Sequence, residues 1–310
     1  MPTSEEPIGE ELVGEPPTAD ALRAALAERC GHDDGRLFAL LDGARSPNLS
    51  VMLQELDVAA LGLYRAGAEE ELGHVMPSIA QVTVSGPLPL WLAVAPEMLE
   101  TAVFLIAGAT LEQFQTHFRR LLLVLDARGA RNYLRFYDAR VLPPLLEGST
   151  EVERGQIFGP VEMFFTLAGR DPDGAPIFRE FRRPAALPPD LRPPSATHPF
   201  RLSERHEAVL AQDALARYDA RCVLWLRERF PGAVAGREDT DLQQIVARAR
   251  TLGPALGLRA GRDVTTLAEA LVLGFGGEDE AEIRRAQGPG RRATLEGIRD
   301  RLATERTVSS

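Results

Sequence analysis

Six prolines lie between residues 184 and 199, and this segment constrains the fold more than any other feature of the 310-residue chain. They occupy positions 184, 188, 189, 193, 194 and 199. Proline lacks a backbone N–H and interrupts helices and interior strands, so the segment predicts a linker over residues 184–199. The linker separates a domain of residues 18–183 from a helical C-terminal lobe of residues 200–306. Residues 1–17 are acidic and rich in Pro and Gly, which predicts a disordered tail.

Strand-like and helix-like segments alternate across residues 18–183. The apolar run 36–41 predicts a buried strand, and Ser46 with Pro47 predicts the start of a helix. Strands are expected at 80–84, 90–93 and 102–106, a helix is expected after a Thr110/Gln113 capping box, and hairpins are expected at 122–137 and 163–181. We therefore predict an α/β (α+β) fold with a mixed β-sheet flanked by helices, followed by a smaller all-helical lobe.

The charge of the chain argues against several classes of function. The formal net charge is −10, and residues 1–100 carry 17 acidic and 5 basic residues. Nucleic acid is not expected as a partner, because binding of phosphates needs a basic surface. All 35 basic residues are arginine. The absence of lysine excludes the P-loop, Schiff-base and Ser–Lys mechanisms.

The termini and the cysteines predict a cytoplasmic protein. Residues 1–6 lack the basic and apolar regions of a signal peptide. The most apolar stretch, 88–109, is interrupted by a proline and two glutamates, so no membrane span is expected. Cys30 and Cys222 each lie in a helical pattern, as buried free thiols do in a reducing compartment.

No pattern of metal ligands or catalytic residues is found. The five histidines form no HExxH or HxH pair, and neither CxxC nor GxSxG occurs. The glycines at 274, 276 and 277 follow a helical pattern and predict a helix end rather than a nucleotide loop. We expect no catalytic residue, no metal and no cofactor.

Asp42 and Asp138 are the strongest candidates for chemistry, because each follows a strand. Asp42 is explained more simply by an Asx turn, and Asp138 by a helix N-cap with ion pairs to its Arg neighbours. His117 is interpreted as a packed histidine at the edge of an apolar face. The alternative is a hydrolase-like enzyme of unrecognised type that uses Asp42 or Asp138.

Several segments, taken in order, resemble a known family. They are LLDGA at 40–44, LYRAG at 63–67 with EEL at 70–72 and MP at 76–77, LRFYDARVL at 134–142 and FGP at 158–160. Over residues 36–183 the chain resembles the adaptors of type VI secretion effectors, also called effector chaperones. The helical part, with LRERFP at 226–231, is similar to the C-terminal lobe of longer members. Ala139 departs from the family pattern, in which proline more often follows the aspartate.

The resemblance implies a binding function without catalysis. Its motif residues, which we expect to be structural, are Asp42, Gly43, Tyr64, Arg65, Arg135, Tyr137, Asp138, Arg140, Gly159 and Pro160. A family member binds the N-terminal region of a cognate effector in the bacterial cytoplasm and assists its loading onto the VgrG spike. The implied partners are the effector and VgrG, with no nucleic acid and no membrane.

Overall fold

A computed structural model describes residues 18–31, 34–64 and 75–308, so the tail predicted at 1–17 lies outside the described residues. Contacts between residues group the chain into two compact units that divide between Ala211 and Gln212. The first unit contains two apolar clusters and the second contains one.

The first unit consists of an antiparallel sheet, a separate hairpin and several helices. Its strands are β1 (Leu37–Leu41), β2 (Ala60–Gly62), β3 (Ser78–Gln81), β4 (Val103–Ile106), β5 (Leu123–Leu125), β6 (Arg131–Tyr133), β7 (Met163–Arg170) and β8 (Pro176–Arg182). Its helices are α1 (Ala19–Cys30), α2 (Leu49–Glu55), α3 (Pro87–Val94), α4 (Pro96–Thr101), α5 (Leu111–Leu121), α6 (Leu142–Gly148), α7 (Glu151–Phe158) and the beginning of α8 (Glu204–Arg229). Six strands form the sheet in the order β2-β3-β1-β4-β7-β8, while β5 and β6 pair only with each other.

Strand β1 lies at the centre of the sheet and is buried on both faces. Phe38 and Leu40 pack into one apolar cluster, together with residues of α5, α6 and α7. Leu37, Ala39 and Leu41 point to the opposite face and pack with α1, α3 and α4. Because alternate side chains of a strand face opposite sides, the continuous apolar run LFALL requires helices on both faces.

The predicted fold class, a sheet with flanking helices and a helical C-terminal region, is confirmed. The pairing inside the sheet differs from the predicted mixture, because every strand pair is antiparallel. An alternation of strands and helices along a sequence fixes the layers of a fold but leaves the direction of each returning strand open.

The strand predicted at 90–93 is wrong, because these residues belong to α3. Pro87 occupies the first turn of this helix, and Leu88 and Leu92, one turn apart, are buried. A short apolar run without polar residues has no visible period, so periodicity cannot separate a buried strand from a buried helix. Proline at the first helical position is the signal that favours the helix.

The division between the units lies later in the chain than the linker predicted at 184–199. The Pro-rich segment packs on α7, since a Cβ on Gly155 would lie 2.6 Å from the Leu187 side chain. After it, Phe200 and Leu202 are buried in the core of the first unit. Proline prevents regular secondary structure but not apolar packing, and for this reason the start of the predicted helical lobe belongs to the first unit.

The second unit is helical within the described residues. After the last part of α8 it contains α9 (Pro231–Val234), α10 (Asp239–Ala255), α11 (Gly261–Leu273), α12 (Gly277–Arg285) and α13 (Gly290–Val308). Gly274 has a φ of 118° and ends α11, as its sequence pattern predicts. Cys30 and Cys222 are both buried and free. No helix in the part of the chain that the structure describes is long and apolar enough to cross a membrane.

Candidate functional site

Most of the motif residues gather in one place in the first unit. Asp42 follows β1, Tyr64 follows β2, and the segment 134–141 connects β6 to α6. We use the name motif cluster for Asp42, Arg45, Tyr64, Tyr133, Arg135, Tyr137, Asp138 and Arg140, which are linked by the contacts described below. Arg45 and Tyr133 were not selected from the sequence. Arg65, which was selected, lies outside the described residues.

Asp42 is completely buried and each of its carboxylate oxygens accepts a hydrogen bond. Oδ1 accepts from the backbone N–H of Ala44 at 3.0 Å, which is the Asx turn expected from the sequence. Oδ2 accepts from Arg135, a residue 93 positions later in the chain. Burial by itself would lower the pKa of the Arg135 guanidinium. The charge and the hydrogen bond of Asp42 act in the opposite direction, and the pKa is raised. This buried ion pair fixes the segment after β6 to the end of β1.

Asp138 is also buried and binds one arginine through both oxygens. Oδ1 accepts from Nε of Arg140 at 2.9 Å, and Oδ2 accepts from Nη2 at 2.6 Å. Burial alone would raise the pKa of Asp138, but the hydrogen bonds and charge of Arg140 lower it below the usual range of a carboxyl. Asp138 is therefore ionised at neutral pH, and the predicted local ion pair is present.

Asp138 is not the N-cap of α6. The N-cap residue is Val141, and no side chain caps this helix. Instead, the backbone carbonyl of Asp138 accepts the N–H groups of Val141 and Leu142 at 2.8 and 3.1 Å. Pro143 and Pro144 explain the difference, because they have no N–H in the first turn and leave little for a capping side chain to satisfy.

Arg45 adds a third guanidinium beside the two carboxylates. Burial, followed by the positive charge of Arg140, lowers the pKa of its guanidinium. The negative charges of Asp138 and Asp42 raise this pKa but do not reverse the shift. Its buried Nε atom has no hydrogen-bond partner among the described residues. Three guanidinium groups against two carboxylates leave the motif cluster with an excess of positive charge.

Three of the four tyrosines of the chain lie close together in the motif cluster, where Tyr133 is 44% exposed and Tyr137 is buried. The rings of Tyr64 and Tyr133 pack edge to face with centroids 6.0 Å apart. Burial raises the pKa of the Tyr133 hydroxyl, and hydrogen bonding with Tyr64 raises it further. Burial, followed by the negative charge of Asp42, raises the pKa of Tyr137. The hydroxyls of Tyr133 and Tyr137 therefore stay protonated and can donate and accept hydrogen bonds.

The position of Tyr64 is fixed by side chains of α5. Nη2 of Arg119 donates to the Tyr64 carbonyl at 2.5 Å and to the Gly62 carbonyl at 3.3 Å. Nε2 of Gln115 donates to the same Gly62 carbonyl at 2.7 Å. These bonds occupy carbonyls at the outer edge of β2, so they hold Tyr64 in place and protect the end of an edge strand.

Gly43 permits a close approach of two backbone segments beside Asp42. A Cβ at this position would lie 2.4 Å from the carbonyl oxygen of Met76. Since backbone atoms cannot rotate away as a side chain can, only glycine fits here without displacement of the chain.

Gly159 and Pro160 lie elsewhere, in a surface pocket of about 300 Å³ that also contains the imidazole of His117. Nε2 of His117 donates to the carbonyl of Ile157 at 2.9 Å. Gly159 has a φ of 54°, and a Cβ there would lie 2.3 Å from the imidazole ring. The FGP motif therefore makes room for a buried histidine. Burial lowers the pKa of His117 to about 4, and the nearby Arg120 contributes to the shift.

The stability of the first unit should depend on pH through His117. Between about pH 4 and pH 6.5 the unfolded chain binds a proton that the folded chain excludes, so the free energy of unfolding falls as the pH is lowered through this window. The full difference is about 3 kcal/mol. Urea unfolding at pH values from 7 to 4 measures this difference. The fluorescence of Trp91 in a Trp225→Phe background reports the unfolding of the first unit.

A His117→Gln variant is the control for this pH dependence, because it keeps a donor for the Ile157 carbonyl and cannot titrate. We expect a flatter pH profile than that of the parent chain. The buried His206, whose pKa is also lowered by burial, contributes equally to both profiles. Parallel profiles for the two chains would show that His117 is not the group responsible.

A serine–histidine pair in the first unit was not recognised in the sequence, because its members are 57 residues apart. The backbone N–H of Ser203 donates to Nδ1 of His206 at 3.0 Å, so the proton of the neutral ring is on Nε2. That Nε2 donates to Oγ of Ser149 at 2.9 Å, and the hydroxyl of Ser149 donates to the Leu145 carbonyl at 2.7 Å. A general base would accept a proton from serine, whereas this imidazole donates to it. The pair therefore ties the start of α8 to the end of α6.

The carboxylates of the motif cluster are also committed to hydrogen bonds within the fold. Both oxygens of Asp42 and both oxygens of Asp138 are engaged by backbone N–H or guanidinium groups. A carboxylate whose two oxygens are both engaged by hydrogen bonds is poorly placed to act as a nucleophile. The arrangement presents tyrosine and arginine side chains on a partly exposed surface.

The first unit is thus an α+β domain that carries an ion-paired, tyrosine-lined cluster. A family model described as "Domain of unknown function (DUF4123)" matches residues 37–156, about two fifths of the chain. The matched range includes every member of the motif cluster and ends just before Gly159 and Pro160. No curated protein and no solved structure matches the chain.

Proposed function

We propose that this chain is a non-catalytic adaptor that binds the N-terminal region of a type VI secretion effector in the cytoplasm and assists its loading onto the VgrG spike. The sequence resemblance suggests this function. The observation that carries it is the assembly of the motif residues into one rigid cluster with tyrosine and arginine at its surface.

The surface offered to a partner lies on the hairpin formed by β5 and β6. Leu123 and Tyr133 are cross-strand partners, and their side chains are 53% and 44% exposed. Tyr64 packs against Tyr133, and Arg135, whose side chain is 42% exposed, lies 6.0 Å from the ring centroid of Tyr137. We call Leu123, Tyr133, Tyr64 and Arg135 the docking surface. Tyrosine and arginine are the residue types that supply most of the binding energy in protein interfaces.

The docking surface is held in shape before any partner arrives. Asp42 positions Arg135, and Arg119 positions Tyr64 through the backbone. A preorganised surface loses little conformational entropy when it binds, which increases affinity for a given contact area. This suits a protein that must capture a segment of another chain rather than transform a substrate.

Co-expression with the proteins encoded beside this chain tests the proposed function. The adaptor function predicts that an effector and VgrG co-purify with the full chain, and that deletion of the adaptor lowers the level of the effector in the producing cell. If neither neighbour co-purifies and effector levels are unchanged, the proposed function is wrong.

A Leu123→Ala/Tyr133→Ala variant tests the docking surface itself. Loss of two central apolar side chains should weaken effector binding about tenfold or more, as measured by isothermal titration calorimetry. The matched control is Leu90→Ala/Val152→Ala, in which both side chains are 44% exposed and lie on α3 and α7. Equal affinities of the two double variants would exclude this surface as the effector site and leave the adaptor function to another surface.

A further inference from the structure

The pocket beside Gly159 has an unusual lining for a surface depression of about 300 Å³. One wall is a single face of α5 that presents Thr116, His117 and Arg120. The opposite wall comes from Gln156 of α7, from Arg183 directly after β8, and from Leu191 and Pro193 of the Pro-rich segment. None of the described residues that line the pocket is acidic. The pocket therefore combines two positive charges with several hydrogen-bond donors.

The two guanidinium groups are available for a ligand. Arg120 and Arg183 are exposed, and neither forms an ion pair or a side-chain hydrogen bond with any described residue. Most other arginines of the first unit pair with a carboxylate or a carbonyl, as Arg36 does with Glu162 and Arg154 with the Leu146 carbonyl. Guanidinium groups prefer planar oxyanions, which they can bind through two parallel hydrogen bonds.

His117 adds a buried acceptor at the base of the pocket. Its Nε2–H is committed to the Ile157 carbonyl, so Nδ1 keeps a lone pair. Its side chain is 5% exposed and its ring is next to Gly159, where a Cβ would lie 2.5 Å from Nδ1. Glycine at this position leaves the ring edge uncovered. A ligand with both an anionic oxygen and a hydroxyl or N–H donor would satisfy the arginines and the imidazole together.

We propose that the pocket between α5, α7 and the Pro-rich segment binds an oxyanion, either a phosphate or a carboxylate, between Arg120 and Arg183 and above His117. This site is separate from the docking surface, since none of the lining residues belongs to the docking surface or to the motif cluster. It does not depend on the adaptor function, because its argument uses only the charges, donors and space of the pocket.

Histidine NMR of the full chain tests the site, since only five histidines are present. The protein is labelled with [¹³Cε1]histidine and titrated at pH 7.5 with inorganic phosphate, and separately with a capped Glu-containing hexapeptide, against sodium chloride at matched ionic strength. We expect the His117 signal, assigned with His117→Gln, to shift to saturation with at least one probe. Half-saturation in the millimolar range or tighter is expected for two guanidinium contacts.

The Arg120→Gln/Arg183→Gln variant should weaken this response at least tenfold. The control is Arg182→Gln, which removes a neighbouring arginine whose side chain is 76% exposed and paired with Glu180. An unchanged signal from the buried His206 shows that each variant is folded.

The two probes distinguish the sources of the oxyanion. A response to phosphate alone identifies a small phosphate ligand, and a response to the peptide identifies an acidic polypeptide segment. Two results would overturn the proposed site. In the first, both probes shift the His117 signal linearly and no further than sodium chloride does. In the second, the double arginine variant responds to the probes as the parent chain does.

Discussion

Replacing Asp42 with alanine is expected to destabilise the first unit by about 2–3 kcal/mol. Asp42 is completely buried, and its removal leaves both the N–H of Ala44 and one side of the Arg135 guanidinium without a partner. The Ala44 N–H is then partly buried without an acceptor, whereas Arg135, whose side chain is 42% exposed, is partly rehydrated, so the loss is smaller than for a pair that is buried on both sides. Urea unfolding followed by the fluorescence of Trp91 in a Trp225→Phe background measures the loss.

Asp126→Ala is the matched control for Asp42→Ala. Asp126 also makes an Asx turn: Oδ1 accepts from the N–H groups of Arg128 at 3.0 Å and Ala130 at 2.7 Å, and Oδ2 accepts from Nδ2 of Asn132 at 3.0 Å, but all three bonds are exposed to solvent. Its loss should cost less, about 1 kcal/mol, because water can replace the carboxylate at all three exposed donors. Asp42→Asn keeps one acceptor oxygen for the Ala44 N–H but turns an NH2 group, which cannot accept, toward Arg135, so its effect should lie between the two. Equal losses for Asp42→Ala and Asp126→Ala would show that the buried ion pair contributes nothing to stability.

The sequence predicts those parts of the fold that depend on neighbouring residues. The Thr110/Gln113 capping box is present, with the Thr110 N–H donating to Oε1 of Gln113 at 2.9 Å. The hairpin of β7 and β8 turns around Asp171 and Gly174, close to the predicted Asp173-Gly174 turn. Capping and turn signals are local, so they can be recognised within a few residues.

Features that depend on distant residues could not be predicted in the same way. The Asx turn of Asp42 uses Ala44, two residues away, whereas its ion pair uses Arg135, 93 residues away. Asp42 and Arg135 are both among the motif residues, but the sequence does not show that their side chains are in contact. Tyr133 was missed because a single tyrosine in a short hairpin strand carries no signal until Tyr64 packs against it. Tertiary contacts therefore determine which motif residues share a surface.

The two proposed sites suit different ligands for a physical reason. The docking surface presents aromatic and aliphatic side chains over ion pairs that are already satisfied, so apolar contact supplies its affinity. The Arg120–Arg183 pocket presents two guanidinium groups without described partners to a small anionic group, so charge and hydrogen bonds supply its affinity. Mutations at one site should leave binding at the other unchanged, because no residue is shared between them.

Gly159→Ala is expected to destabilise the first unit by about 3 kcal/mol or more. Its φ of 54° disfavours any residue with a Cβ, which contributes about 1–2 kcal/mol. The new methyl group would also lie 2.3 Å from the ring of His117, and forcing an extra carbon into a packed site adds about 1–3 kcal/mol. The ring cannot move freely, because its Nε2 is bonded to the Ile157 carbonyl.

Two further variants separate the conformational cost from the steric cost. Gly129→Ala also places a Cβ at a positive φ, 85°, but no atom lies within 4 Å of it, so its loss of stability measures the conformational cost alone. In a His117→Ala background the space beside Gly159 is vacant, and Gly159→Ala should then cost less than it does in the parent chain, because only the conformational cost remains. The measured coupling between positions 117 and 159 should be about 1–3 kcal/mol. Additive losses in this double-mutant cycle would mean that Gly159 is required by its backbone conformation and not by the buried histidine.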